Sequence, residues 1–251
     1  MAYACIPEDL RIYVIGDIHG RFDLLAELQA KIEADANTAG HLKIKQIFLG
    51  DYVDRGPDTK AVVDFMLSRP PRGWDRICLK GNHEDMLLKF LEDESFLEKW
   101  GRSGGVQTLH SYDVGLIESM REGDAKKIQK KFRKNLTKAH RIFFTQLKHS
   151  VEYGDYFFAH AGVRPGVDLD AQTEDDLLWI RKEFISSNKD FGKIIIHGHT
   201  PVKQPEILPN RINIDTGAWS SGQLTCLVLE SETRRFLQTG CMGKTCAGCP
   251  D

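Results

Sequence analysis

Residues 47–56 read IFLGDYVDRG, an apolar run that stops at a glycine and is followed at once by acidic and basic side chains. The same event recurs at residues 77–84 (ICLKGNHE) and near the start at residues 12–20 (IYVIGDIHG). Two further apolar runs, at 156–160 (YFFAH) and 194–199 (IIIHGH), end in histidine. Ligands of open α/β sheets bind just outside the carboxyl ends of the strands. The pattern therefore predicts that these polar side chains converge on one place and form a metal site.

The spacing of the apolar runs is typical of a layered α/β domain, because strands alternate with helical patterns. From residue 151 onward, short strands follow one another with a single helix expected at 173–186, which predicts a second, partly antiparallel sheet packed on the first. Strands are expected at 11–15, 46–49, 76–79, 151–153, 156–158, 193–196, 212–214, 224–229 and 235–237, and helices of the first part at about 22–34, from Pro57, and at 84–91.

Between about residues 92 and 148 the alternation stops, and we interpret this segment as a helical insertion beside the site. Gly101–Gly105 is expected to be a flexible break, and 124–147 one helix with Ile142 on its buried side. Its other side is rich in lysine. That side is interpreted as a solvated helix face, and the alternative is a basic rim that attracts phosphorylated substrates.

Length and charge limit the classes of protein that fit. A chain of 251 residues with a net charge of -2 suits one large domain, expected here at residues 1–240, and gives no electrostatic footprint for nucleic acid. No apolar run approaches the roughly 20 residues that span a bilayer, and the N-terminus does not resemble a signal peptide. We therefore expect a cytoplasmic protein without a membrane partner. Residues 241–251 carry Cys241, Cys246 and Cys249 and are expected to be a flexible tail with free thiols.

The candidate metal ligands combine carboxylate, amide and imidazole groups. A mixed oxygen and nitrogen set suits Mn, Fe or Zn better than Mg or Ca. The set is too large for one tetrahedral zinc with an open position. We therefore predict two divalent ions that share Asp51, with Mn²⁺ as the expected metal and Fe or Zn as alternatives. His197 is left out as a ligand and is expected to pack near the site. The candidate ligands are Asp17, His19, Asp51, Asn82, His160 and His199.

The remaining polar residues of the motifs suit phosphoryl chemistry. A two-metal site lowers the pKa of a bridging water and holds it for in-line attack on phosphorus. Arg55 can clamp phosphate oxygens with its planar guanidinium. His83 can protonate the leaving oxygen as a general acid. Asp54 can orient and charge His83, as a carboxylate orients the histidine of a catalytic triad.

In this order, the motifs GDIHG, GDYVDRG, GNHE, HAG and HGHT resemble the metallophosphoesterases of the phosphoprotein phosphatase class, in particular the small bacterial and phage serine/threonine phosphatases. The resemblance covers Arg11 to Gly217 and implies a four-layer α/β/β/α sandwich. It implies phosphate contacts from Arg55, His83 and, through the LWIR sequence at residues 178–181, Arg181. It assigns metal one to Asp17, His19 and Asp51, and metal two to Asp51, Asn82, His160 and His199.

Three functional hypotheses follow. The first is a phosphatase that acts on phosphoserine or phosphothreonine in a protein or peptide. Activity on phosphotyrosine is left open. The alternative is a dinucleoside polyphosphate hydrolase on the same scaffold. Those hydrolases resemble GDxVARG and GNHD, whereas this chain has Asp54 and Glu84, which favours monoester chemistry. A non-catalytic phosphate- or metal-binding module is the third hypothesis, and inertness toward p-nitrophenyl phosphate would support it. The sequence does not indicate the oligomeric state.

Overall fold

The computed structural model describes residues 4–115 and 123–240. The cysteine-containing tail at residues 241–251 lies outside the described residues. The strands are β1 (Leu10–Ile15), β2 (Lys43–Phe48), β3 (Trp74–Cys78), β4 (Ser150–Tyr153), β5 (Tyr156–Ala159), β6 (Ile194–His197), β7 (Glu206–Ile207), β8 (Arg211–Asn213), β9 (Thr225–Glu230) and β10 (Thr233–Gln238). The helices are α1 (Phe22–Ala36), α2 (Thr59–Leu67), α3 (Asn82–Glu92), α4 (Leu97–Trp100), α5 (Val106–Ser111), α6 (Asp124–Asn135), α7 (Lys138–Thr145), α8 (Glu174–Trp179), α9 (Lys182–Ile185) and α10 (Ala218–Ser221).

Two five-stranded sheets form the centre of the molecule, with strand orders β10-β9-β1-β2-β3 and β4-β5-β6-β8-β7. In the first sheet β1, β2 and β3 run parallel, and β9 pairs antiparallel with β1. In the second sheet β5, β6 and β8 run parallel, while β4 and β7 are antiparallel edge strands. The sequence had placed the last strands in the second sheet, and this was wrong. β9 pairs with β1, and β10 pairs with β9. The order of the strands along the chain does not reveal this pairing.

Alternate residues of β1 build two different cores, because successive side chains of a strand point to opposite faces. Ile12 and Val14 pack between the sheets with residues of the second sheet such as Ile196. Tyr13 and Ile15 face the helical layer that contains α1 and α2. The outer face of the second sheet is covered by α8 and α9 through a third cluster. The α/β/β/α sandwich predicted from the sequence is therefore confirmed.

The helix predicted over residues 124–147 is two helices, α6 and α7. The chain is extended at Leu136 (ψ 111°), and the side chain of Thr137 accepts a hydrogen bond from the backbone N–H of His140, which begins α7. The break rotates the second helix relative to the first. Ile142, predicted to be buried, is therefore 41% exposed.

Gly101–Gly105 was predicted to be a flexible break, and it forms a π-helical turn that joins α4 to α5. Gly104 has a φ of 110°, and its carbonyl accepts the backbone N–H of Arg55 at 3.1 Å. A Cβ at Gly104 would lie 2.7 Å from Cγ and 2.8 Å from the backbone nitrogen of Arg55. Only glycine fits here, and this turn packs directly on a predicted phosphate-binding residue.

None of the helices within residues 4–115 and 123–240 has the length and apolar character needed to cross a membrane.

Candidate metal centre

The predicted ligands follow the carboxyl ends of strands from both sheets. Asp17 follows β1, Asp51 follows β2, and Asn82 follows β3 as the first residue of α3. In the second sheet His160 follows β5 and His199 follows β6. All of these side chains are buried. Because the parallel strands of each sheet end at one edge, the loops carry these side chains to a common cradle, as the sequence predicted.

Asp51 belongs to two compact groups of potential ligand atoms, each within 4.8 Å: one with His19 and His83, the other with His160 and His199. Its Oδ2 lies 3.4 Å from Nε2 of His19, and its Oδ1 lies 3.4 Å from Nε2 of His160. Each carboxylate oxygen therefore faces a different imidazole. Asp51 could therefore serve as a ligand in both groups.

Two of the imidazoles are oriented by backbone carbonyls. Nδ1 of His19 donates to the carbonyl of Val53 at 2.8 Å, and Nδ1 of His160 donates to the carbonyl of Leu49 at 3.0 Å. Such bonds fix the tautomer and leave Nε2 as the lone pair offered to a metal. Burial lowers the pKa of both histidines. They are therefore neutral, which is the form that binds metal.

The second group contains buried acceptors that a cation would satisfy. Oδ1 of Asn82 lies 2.9 Å from Nε2 of His160, whose other nitrogen already carries the proton. Two acceptors thus face each other. Oδ1 of Asn82 also lies 2.8 Å from Nδ1 of His199. Nε2 of His199 is buried, and none of the described residues forms a hydrogen bond with it. Burial lowers the pKa of His199 to about 2. This donor set fits the divalent metal centre of the family that the motifs resemble.

Asp17 lies beside the compact groups and outside both of them. Its Oδ2 accepts the backbone N–H of His199 at 3.1 Å. Burial and the nearby charges of Asp215 and Asp51 raise the pKa of Asp17 well above its usual value, and burial raises the pKa of Asp215 to about 6. Buried carboxylates this close together are unfavourable unless a cation or a proton neutralises them. A ligand role for Asp17 stays a prediction.

His197 joins neither ligand group. It is fully buried, and its ring packs edge-on against Phe184 with the centroids 4.9 Å apart. Burial lowers its pKa to about 3. The side chain fills the core behind the cradle.

His83 and Asp54 form a buried pair at the edge of the cradle. Nδ1 of His83 lies 2.7 Å from Oδ2 of Asp54, and Nε2 of His83 lies 3.8 Å from Oδ2 of Asp51. Burial works to lower the pKa of His83, but the carboxylates of Asp51 and Asp54 outweigh it and the pKa is raised. This pair, the acid dyad below, has the geometry expected of a general acid and its orienting carboxylate.

The helical insertion supplies further partners of the Asp54 carboxylate, and the sequence analysis missed them. Nε1 of Trp100 donates to Oδ2 of Asp54 at 2.9 Å, and Oγ1 of Thr108 donates to Oδ1 at 2.6 Å. These bonds fix the orientation of the Asp54 carboxylate that contacts Nδ1 of His83. No motif in residues 92–148 marks Trp100 or Thr108, so the sequence carried no signal for them.

Glu84 is a third residue whose role the sequence analysis missed. Its carboxylate accepts backbone N–H groups from Gly81 and Asp51, both at 2.9 Å, and from Tyr52 at 2.8 Å. The carboxylate thus ties the loop that carries Asp51 to the start of α3, which carries Asn82. The GNHE motif contains Glu84, but the sequence analysis used this residue only to distinguish protein phosphatases from dinucleoside polyphosphate hydrolases.

Left-handed backbone conformations concentrate in the cradle. Non-glycine residues with positive φ include His19 (49°), Asp51 (53°), Asp54 (72°), Arg55 (67°) and His199 (64°). Each such residue costs of the order of 1–3 kcal/mol and persists only where its surroundings determine it. The chain turns at His19, whose backbone N–H donates to the carbonyl of Asp51 at 2.8 Å.

The two predicted phosphate arginines lie in different settings. Nη2 of Arg55 lies 3.2 Å from Nε2 of His83, inside the site. Arg181 is exposed, in a break between α8 and α9, so the single helix predicted at 173–186 was wrong. After burial, the positive charge of Arg181 is among the causes that lower the pKa of His160 and His199. Its charge therefore acts on the cradle, while its contact with phosphate stays a prediction.

Comparison with known proteins adds a family match and relatives. Residues 10–227 match the family model described as calcineurin-like phosphoesterase. A curated relative from Geobacillus sp. (strain WCH70), bis(5'-nucleosyl)-tetraphosphatase PrpE (asymmetrical), is 30% identical over 236 residues, covering 86% of this chain and 89% of the relative. The relative carries the name of the alternative function weighed in the sequence analysis, and the leading function, a protein phosphatase, is not confirmed.

Solved structures share the fold. A crystal structure provisionally assigned as a diadenosine tetraphosphatase superposes with a TM-score of 0.61 at 20% identity, covering 94% of this chain and 98% of that one. A cold-active protein tyrosine phosphatase of a psychrophilic Shewanella species superposes with a TM-score of 0.56 at 18% identity, covering 93% and 83%. At such identities these likenesses concern the fold alone.

Proposed function

The chain belongs to the calcineurin-like phosphoesterase family, and from this premise we propose that it hydrolyses dinucleoside tetraphosphates asymmetrically. The products would be a nucleoside triphosphate and a nucleoside monophosphate. The observation that supports hydrolysis is the carboxylate of Asp51, which belongs to both groups of ligand atoms. The nucleotide substrate is supported by the relative named bis(5'-nucleosyl)-tetraphosphatase, which matches 86% of the chain.

The cradle would hold a pair of divalent cations. When bound, such ions lower the pKa of water and neutralise the charge of the phosphoryl group. Asp51 would be shared, and Asp17 lies beside the first group. The residues that would hold the ions are Asp17, His19, Asp51, Asn82, His160 and His199.

The protein's own groups would orient the reacting phosphate. The guanidinium of Arg55 lies 3.2 Å from Nε2 of His83, so a phosphate oxygen bound by one is within reach of the other. Arg55 provides a planar fork for phosphate oxygens. His83 is positioned to give the proton on Nε2 to the leaving oxygen, while Asp54 holds Nδ1. Arg181 would add positive charge at the rim.

A second candidate function, hydrolysis of a phosphoprotein monoester, is favoured by the acid dyad itself. A serine or threonine alkoxide is a poor leaving group and needs a proton, which a general acid supplies for a gain of typically 10²- to 10⁴-fold. A nucleoside phosphate leaves as a stable anion, since its last pKa is near 6, and needs the acid much less. The 2.7 Å contact by which Asp54 orients His83 therefore favours a substrate whose leaving group must be protonated.

Parallel turnover of diadenosine tetraphosphate and a phosphoserine peptide by the Mn²⁺-reconstituted protein tests the proposal. We expect the higher kcat/KM for the nucleotide, with adenosine tri- and monophosphate as products. A higher kcat/KM for the peptide would reject the proposal in favour of the second candidate. Release of two molecules of the diphosphate would contradict asymmetric cleavage.

A further inference from the structure

Trp219 is a large aromatic side chain that the core does not use. It is 44% exposed, and the other exposed large hydrophobic residues of the described ranges are aliphatic. The guanidinium carbon of Arg55 lies 5.3 Å from the centre of its ring. The same guanidinium contacts His83. The exposed indole therefore stands at the phosphate-binding edge of the site.

The backbone that carries Trp219 is tied to the site on both sides. The backbone N–H of Gly217 donates to Oδ1 of Asp215 at 2.9 Å, and the carbonyl of Ala218 accepts Nη1 of Arg21 at 3.1 Å. Oγ of Ser221 donates to the carbonyl of Thr216 at 2.8 Å, closing the turn. The neighbouring Ala218 is buried. An exposed aromatic ring on an anchored turn loses little entropy when a ligand stacks on it.

We propose that the indole of Trp219 is the stacking platform for a base of a nucleoside polyphosphate whose phosphates lie at Arg55. This assignment rests on the proposed function, because it requires an aromatic group on the substrate. Stacking of a base on an aromatic side chain is sequence-tolerant, since every base has a π face. The platform would thus accept different nucleosides while Arg55 binds the charge common to all.

The placement of Arg55 between Trp219 and His83 favours a nucleotide over a phosphotyrosine. In phosphotyrosine the ring is bonded directly to the oxygen of the reacting phosphate. Trp219 meets the site through the guanidinium of Arg55, which in turn contacts His83. A chain of phosphates between the reacting phosphorus and the base supplies the extra reach.

Binding of a non-hydrolysable pair of probes tests the platform without turnover. The probes are α,β-methylene adenosine diphosphate and methylenediphosphonate, which share the phosphonate group and differ by the nucleoside. Calorimetry is done with Mn²⁺-loaded wild type, Trp219→Ala, Trp219→Phe and, as an exposed apolar control on the edge strand β7, Ile207→Ala. We expect Trp219→Ala to weaken the nucleotide about tenfold or more and leave methylenediphosphonate within about twofold. Trp219→Phe should restore most of the loss, and Ile207→Ala should behave as wild type.

Unchanged nucleotide affinity in Trp219→Ala, or equal losses for both probes, would overturn the assignment. A third probe, phenylphosphonate, carries an aromatic ring directly on a single phosphonate group. A larger loss of affinity for this probe than for the nucleotide in Trp219→Ala would also overturn the assignment, in favour of an aromatic monoester. The proposed function fails separately, if wild type does not cleave diadenosine tetraphosphate. If wild type cleaves it while Trp219→Ala keeps full nucleotide affinity, only the platform is wrong.

Discussion

The metal cradle and the acid dyad lie side by side, but different parts of the chain build them. The cradle takes its ligands from loops at the strand ends of both sheets, where the fold itself brings them together. The dyad is held by Trp100 and Thr108, which belong to the helical insertion and lie 46 and 54 residues from Asp54 along the chain. The framework thus positions the candidate metal ligands, and the insertion positions Asp54, the partner of the candidate proton donor His83. Substitutions in the two regions should therefore differ in their effects on metal content and on turnover.

Removing the metals should have the largest effect, because the cradle carries the greatest share of the chemistry. Cations in such sites contribute several kcal/mol to transition-state stabilisation. Dialysis against a chelator should therefore lower turnover by about 10³-fold or more, and Mn²⁺ should restore it. Full activity in protein shown by elemental analysis to be metal-free would place the chemistry elsewhere.

His83→Asn separates the dyad from the cradle. His83 stands in one of the compact ligand groups, so a metal-ligand role competes with the role of general acid. As a general acid, its loss should cut turnover of an alkyl phosphate by about 10² or more and leave metal content unchanged. The loss should be smaller for p-nitrophenyl phosphate, whose leaving group needs less protonation. Loss of an ion, with equal effects on both substrates, would make His83 a ligand.

Trp100→Phe tests the support that the insertion gives to Asp54. The substitution removes the N–H that bonds Oδ2 of Asp54, so we expect turnover of an alkyl phosphate to fall about tenfold with metal content retained. Phe132→Leu is the matched control, because Phe132 packs against Trp100 with ring centroids 5.7 Å apart and the substitution leaves that N–H in place. If both variants lose the same activity in proportion to thermal stability, the bond has no positioning role.

Arg181→Ala should have the smallest effect, because Arg181 is exposed and solvent screens its charge. We expect the inhibition constant of inorganic phosphate to rise about threefold to tenfold, with kcat changed less. Lys182→Ala, which removes a neighbouring exposed charge, is the control. Equal responses in both variants would reduce Arg181 to part of the general surface charge.

The cradle was predictable from the sequence because its signal is local. Each candidate ligand comes shortly after an apolar run, close to a glycine or a histidine. Short strands that alternate with helices can be arranged in only a few topologies, so the ends of these runs were expected to meet. The strand β1 is apolar on both faces from Ile12 to Ile15, which agrees with its burial on both faces in the structure. The sequence could not show that β9 and β10 return to the first sheet, because strand pairing is a long-range property.

The supports of the site were not predictable for the same reason. Trp100 and Thr108 resemble ordinary core residues of an insertion, and their bonds to Asp54 appear only when the insertion folds back on the strand ends. Helix periodicity also continued across Thr137, which caps the start of α7, and across Ile180, where the extended backbone ends α8. Trp219 resembled a residue of an ordinary turn until its place beside Arg55 was known.

Metal stoichiometry tests most directly whether Asp51 is shared by a pair of cations. Elemental analysis after Mn²⁺ loading should give about two ions per chain for wild type, and for Asp54→Asn, a buried carboxylate outside both ligand groups. Asp51→Asn should lose both ions to a large extent, because one carboxylate serves both groups. Two ions retained in Asp51→Asn, or a single ion in the fully loaded wild type, would contradict the account.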